Sequence, residues 1–185
     1  MADPEFLLLG DALWLDFVNT AALPGRDLLP DAAALLRWTK AVKVAPVAGP
    51  ADFETALDLR TRLAALAAAL EAGRSAPPSA IEAINGFLAG REGREQLVRI
   101  GGRWRIRFAP HRAATAFEAI AGSAARTLAH PVAVVRRCAA PDCGLFFVDE
   151  SPTQSRRWCS RRCGQRGRVE RRRVSPRLTP LVTEG

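Results

Sequence analysis

CAAPDCGLFFVDESPTQSRRWCSRRCGQRGRVERRR, residues 138–173, decides how this chain is organised. Its four cysteines stand as Cys138-x4-Cys143 and Cys159-x3-Cys163, with fifteen residues between the two close pairs. Zinc prefers four tetrahedral thiolates, and each close pair can bend around one ion while the intervening loop closes the site. One structural zinc, held by Cys138, Cys143, Cys159 and Cys163, therefore ranks ahead of free thiols or an iron–sulfur cluster. With all four positions taken by protein ligands, no position stays open for a reacting water, which argues against a catalytic metal. Pro141, Asp142 and Gly144 are turn formers around a tight knuckle. Leu145–Val148 reads as a strand, Arg156–Trp158 as its return strand, and Ser160 as the N-cap of a helix containing Cys163. Knuckle, hairpin and helix in that order predict a treble-clef arrangement. At about 100° per residue, Arg161, Gln165, Arg168 and Arg172 share the stripe opposite Cys163. Trp158, next to a ligand, reads as a lid over the metal core.

Charge points the same way. The 185 residues carry 27 Lys+Arg against 19 Asp+Glu, a net charge of +8. Residues 1–135 hold 15 basic and 14 acidic side chains, whereas 136–185 hold 12 and 5. Basicity concentrated in one small module is the footprint of a polyanionic partner. Candidate nucleic-acid contacts are Arg161, Arg162, Gln165, Arg166, Arg168, Arg171, Arg172 and Arg173, with DNA ahead of RNA because no aromatic-rich strand offers stacking platforms. An RNA-binding protein and an adaptor for an acidic protein partner are the alternatives.

The chain upstream reads as an α+β body. Pro30 or Asp31 opens an amphipathic helix through Leu35, Leu36, Trp38 and Val42; a long helix covers about 51–72 and stops at Gly73. Ser79 with Glu82 has the form of a capping box for a third helix ending by Gly90. Leu97 to Phe108 around Gly101-Gly102 is a hairpin, with Trp104, Ile106 and Phe108 alternating with Arg103, Arg105 and Arg107. A fourth helix runs through Phe117, Ile120 and Leu128, and Val132–Val135 is a strand leading to the first cysteine. The apolar runs at Leu7–Leu9 and Ala12–Val18 are compatible with strand or helix. Asp16 and Asn19 could face a ligand pocket, although such groups more often satisfy backbone near a helix end. His111 and His130 sit at element boundaries, and no nucleophile–base pairing is discernible, so an enzyme is not expected. No stretch reaches the length of a membrane span, and the opening MADPEFLLLGDALWLDF carries acids where a secretory signal would be basic; a cytoplasmic protein without membrane contact is expected, its thiols reduced.

Two motifs carry a family resemblance. The cysteine-rich run, with Phe-x-Asp-x-Ser at Phe147–Ser151, the Trp158-Cys159-Ser160 triplet and the arginine tail, resembles the CGNR-type zinc finger; LDFVNT at Leu15–Thr20 resembles the opening of the ABATE domain that precedes it. The resemblance implies an ABATE-like domain over 1–135, a treble-clef finger with a basic C-terminal helix over 136–185, and a role in transcription regulation, linked to stress. A small-molecule effector or a role in assembly would then fall to the N-terminal domain. Here Gln165 stands where the family name has asparagine; both side chains end in a carboxamide that can pair with adenine, but with different reach.

Overall fold

The computed structural model describes residues 5–23, 25–47 and 49–174. A short helix α1 (Leu13–Val18) runs into a 3-10 turn at Asn19–Ala21. Its Trp14, Leu15, Phe17 and Val18 are all buried, so the ambiguous apolar run is a core helix rather than a strand. Leu7–Leu9 forms no strand. Of the two residues that could open helix α2 (Ala32–Ala41), Asp31 is the cap: its Oδ1 accepts the Ala34 N–H at 2.7 Å. Helix α3 (Pro50–Glu71) ends before Gly73, whose φ of +65° is the left-handed conformation glycine adopts freely.

Helix α4 (Pro78–Ala89) corrects one expectation. Its N-cap is Pro77 and no side chain caps it, so Ser79 and Glu82 form no capping box. Proline suits the first helical turn because its missing N–H would be unpaired there anyway, which moves the start upstream of Ser79. The true capping box opens α5 (Ala116–Ala129): Thr115 Oγ1 accepts the Glu118 N–H, and Glu118 accepts the Thr115 N–H. Arg112 then pairs bidentately with Glu118, and this ion pair foremost holds the carboxyl below its ordinary range.

Between α4 and α5 the chain forms the expected hairpin, β1 (Gly93–Ile100) and β2 (Arg103–Pro110), antiparallel with Leu97 opposite Ile106. Gly101 and Gly102 both have positive φ, which a two-residue turn matched to strand twist requires.

The four principal helices of the body and α1 enclose one core built on Trp14, Phe17, Trp38, Leu59, Leu63, Leu66 and Ile120, with Phe17 and Trp38 rings 5.1 Å apart. Val135, Phe146 and Val148 belong to that same core. They come from a second hairpin, β3 (Val134–Arg137) with β4 (Phe146–Asp149), in which Val135 faces Val148. Here a further expectation is overturned: β4 pairs with the strand before the first cysteine, and Arg156–Trp158 forms no strand. The return segment meets the knuckle through the Ala139 N–H, which donates to the Arg157 carbonyl at 2.9 Å. The chain closes with α6 (Arg161–Val174). The fold class is thus α+β, with helices and two two-stranded sheets. Among the described residues no helix is long and apolar enough to cross a membrane.

Candidate metal centre and nucleic-acid interface

All four cysteines are buried, and their Sγ atoms lie within 4.8 Å of one another. Cys143, Cys159 and Cys163 form a triangle with edges of 3.7, 3.6 and 3.7 Å. A tetrahedral ion with Zn–S bonds of about 2.3 Å requires sulfur–sulfur edges of about 3.8 Å, so the cluster has the size zinc demands. The Cys138 Sγ accepts the Cys159 N–H at 3.4 Å, tying the first pair to the second. A hydrogen bond from Cys159 draws the Cys143 thiol down to about 5, while the same bond, with burial, pushes Cys159 upward. Four thiols this close cannot all ionise unaided, and a dication relieves that conflict. The chain therefore holds one structural Zn2+ through these four residues.

The knuckle turns as its sequence predicts. Asp142 and Gly144 take positive φ, and the Cys143 N–H returns to the Ala140 carbonyl. Ser160 caps α6: its Oγ accepts the Cys163 N–H at 3.3 Å. Trp158 packs against the cysteine cluster and across the backbone of α6 at Gly164 and Gly167, in the position of a lid.

Asp149 is the residue the sequence reading undervalued. Fully buried, it accepts from the Ser151 N–H and hydroxyl, the Arg156 N–H and Arg136 Nε, at 2.6–3.0 Å. Burial alone would raise its carboxyl, but these donors hold it below the ordinary range. The Phe-x-Asp-x-Ser motif is therefore the knot that shapes the loop between the cysteine pairs. Arg156 extends the knot: it donates to the carbonyls of Trp158 and Cys159, stacks 4.5 Å over Phe147, and reaches Asp11 at 2.5 Å.

That last contact is one of several across a seam between the N-terminal body and the finger. Asn19 is buried and bonds the Phe146 backbone twice, Nδ2 to the carbonyl and Oδ1 from the N–H, both at 2.8 Å. The Val148 N–H donates to the Gly10 carbonyl, and Asp16 Oδ1 accepts the Gly10 N–H at 2.8 Å. Thr20, the end of the LDFVNT motif, receives Arg60, which also grips Asp27 bidentately. Asp16 and Asn19 thus serve backbone at the seam. A cleft of about 300 Å³, which neither of them lines, opens between Leu7, Leu9, Leu23 and Leu28 of the body and Leu145, Arg162 and Arg166 of the finger.

Along α6, Cys163, Gly164 and Gly167 are buried, while Arg161, Arg162, Gln165, Arg166 and Arg168 are exposed. They divide into two groups. Arg162 and Arg166 border the cleft, with Arg166 donating to Cys163 Sγ at 3.2 Å. Arg161 and Arg168 are exposed away from that cleft, Arg168 riding 5.7 Å over Trp158, and exposed Gln165 borders a shallower hollow with Pro141, Asp142 and Arg166. Arg171, Arg172 and Arg173 continue the helix, but their side chains lie outside the described residues.

Comparison with known families agrees with this architecture. The ABATE family, described as "Putative stress-induced transcription regulator", matches residues 11–131, and the CGNR zinc finger matches residues 135–174. No curated protein matches the chain.

Proposed function

Because the chain belongs to the ABATE family and carries a CGNR zinc finger, we propose that it is a zinc-dependent DNA-binding transcription regulator whose contact surface is the outer face of α6. One observation carries this reading. Arg161, Gln165 and Arg168 face solvent on a helix whose opposite side is anchored by the metal ligand Cys163, so they can meet phosphate or groove edges without disturbing the zinc. Arginine there supplies counterion release and bidentate donors, and a helix fits the major groove. Zinc contributes no chemistry beyond holding that helix in place. The knuckle and the ligand-bearing helix support a treble-clef finger.

The N-terminal body would sense a ligand or direct assembly. The cleft supports sensing: a carboxylate with an apolar tail would set its chain among the leucines and its charge against Arg26, Arg162 and Arg166. The test of DNA binding is a titration of the zinc-loaded protein with duplex DNA at several salt concentrations. Arg161, Arg168 and Arg172 changed together to alanine should keep the zinc, bind more weakly, and lose about 0.9 of log–log salt slope per phosphate contact removed. Gln165→Ala should cost about 1 to 3 kcal/mol on a preferred sequence and little on random DNA if it reads a base. Binding unchanged by the triple substitution would transfer the finger to the acidic-adaptor reading, and tighter binding to single-stranded RNA would transfer it to the RNA reading.

A further inference from the structure

The β1–β2 hairpin presents an apolar face to solvent. Leu97, Trp104 and Ile106 are 64%, 65% and 70% exposed, and Phe108 is exposed as well. The register assigns the faces. Glu95 opposite Phe108, Leu97 opposite Ile106 and Arg99 opposite Trp104 point to one side; Arg94, Arg103, Arg105 and Arg107 share the other with Val98 and Ile100. Arg91 reaches over the Phe108 ring at 5.8 Å, while Leu97, Trp104 and Ile106 stay largely open to solvent. A two-stranded ribbon is marginal in water by itself, and a contiguous apolar patch of this kind marks an interaction site. Scattered apolar residues would need no explanation, but here four of them tile one face of one ribbon.

The charges on that face identify the occupant. On β1, Glu95 and Arg99 lie two positions on either side of Leu97, one acid and one base. Take a two-fold axis lying in the plane of the interface and running across the strands through Leu97 and Ile106. It sets Leu97 on its own copy, Ile106 on its own copy, Trp104 on Phe108, and Arg99 against Glu95 at both ends. Every residue of the face meets a complementary one, which is the condition for an isologous interface. A nucleic acid or an acidic protein would be drawn to the arginine side instead, so it does not account for this face.

We infer that the hairpin is a homodimerisation arm, and that its apolar face packs on the same face of a second copy of this chain. The two ribbons stack at the roughly 10 Å spacing of packed sheets. Eight residues per strand make a contact about 26 Å long and only two strands wide, at the low end of specific interfaces, so the dimer is reversible, with dissociation in the micromolar range. The arginines of the opposite side remain in water. This inference does not depend on what the finger binds.

Sedimentation equilibrium of the full-length, zinc-loaded protein from about 1 to 200 µM tests it. The wild type should move from monomer to dimer across that range. Ile106→Asp, a change on an exposed ribbon that leaves the core intact, should raise the dissociation constant about tenfold or more with an unchanged circular dichroism spectrum. Glu95→Arg and Arg99→Glu should each weaken the homodimer, whereas an equimolar mixture of the two should recover association as a heterodimer. A monomer throughout, a dimer indifferent to Ile106→Asp, or a mixture no tighter than either charge variant alone would each overturn the arm; association only with added apolar peptide would assign the face to a different protein.

Discussion

Asp16 shows how one residue can report on the seam. Burial, reinforced by neighbouring Asp11, raises its carboxyl to about 6 although the Gly10 N–H favours the charged form. In the unfolded chain the group titrates near 3.8. The folded protein therefore holds more protons between these values, so stability falls as pH rises through that window and stays lower above it. Asp16→Asn keeps an oxygen for the Gly10 N–H and removes the titration. It should melt above the wild type at pH 7.5, by roughly 2 to 4 °C once solvent screening is allowed for. The advantage should shrink toward zero below about pH 4. Scanning calorimetry of both proteins across pH checks this, and a constant difference at all pH values would contradict it. Asn19, three positions on, was legible as a group that satisfies backbone near a helix end. Its partner was not legible, because Phe146 is 127 residues away in the chain and only folding brings it close.

At the level of the elements, α6 sets two effects against each other. Alanine is favoured over glycine in a helix interior by about 1 kcal/mol. A Cβ on Gly164 would sit 3.5 Å from the Trp158 ring, an ordinary contact, so Gly164→Ala should leave the finger as stable or slightly more so. On Gly167 it would come within 2.7 Å of Trp158 Nε1, and the lid must move. Gly167→Ala should thus lower the melting temperature and speed zinc loss to a chelator, against the propensity. Equal behaviour of the two variants would remove Trp158 from its role as lid. The β1–β2 hairpin could be read in full because alternation and a Gly-Gly turn are local signals. The second hairpin could not. Phe146–Asp149 has a candidate partner on either side of it in the chain, and burial against α1 and α3, together with the Asp149 knot, selects Val134–Arg137.

Across the whole molecule, body and finger share a core. Removing residues 136–185 would uncover the surface that Phe146 and Val148 bury and leave the Asn19 amide without its partners. Those two side chains alone represent about 3 to 5 kcal/mol. A fragment of residues 1–135 should therefore keep helical structure yet melt roughly 10 °C or more below the full chain. Removing zinc from the intact protein should loosen the environment of Trp14 and Trp38 as well as that of Trp158, a change that near-ultraviolet circular dichroism detects. A fragment as stable as the parent would mean the seam is only a surface contact. The sequence by itself determined the four metal ligands, the cap of α6, the β1–β2 hairpin and the basic character of α6, because each rests on spacing or alternation within a few residues. Only the tertiary structure decided that Asn19 of LDFVNT binds the backbone of Phe146, that β3 is the partner of β4, and that the arginines of α6 divide between a cleft and an open face. Those outcomes depend on which distant surfaces exclude water together, and no local pattern encodes that.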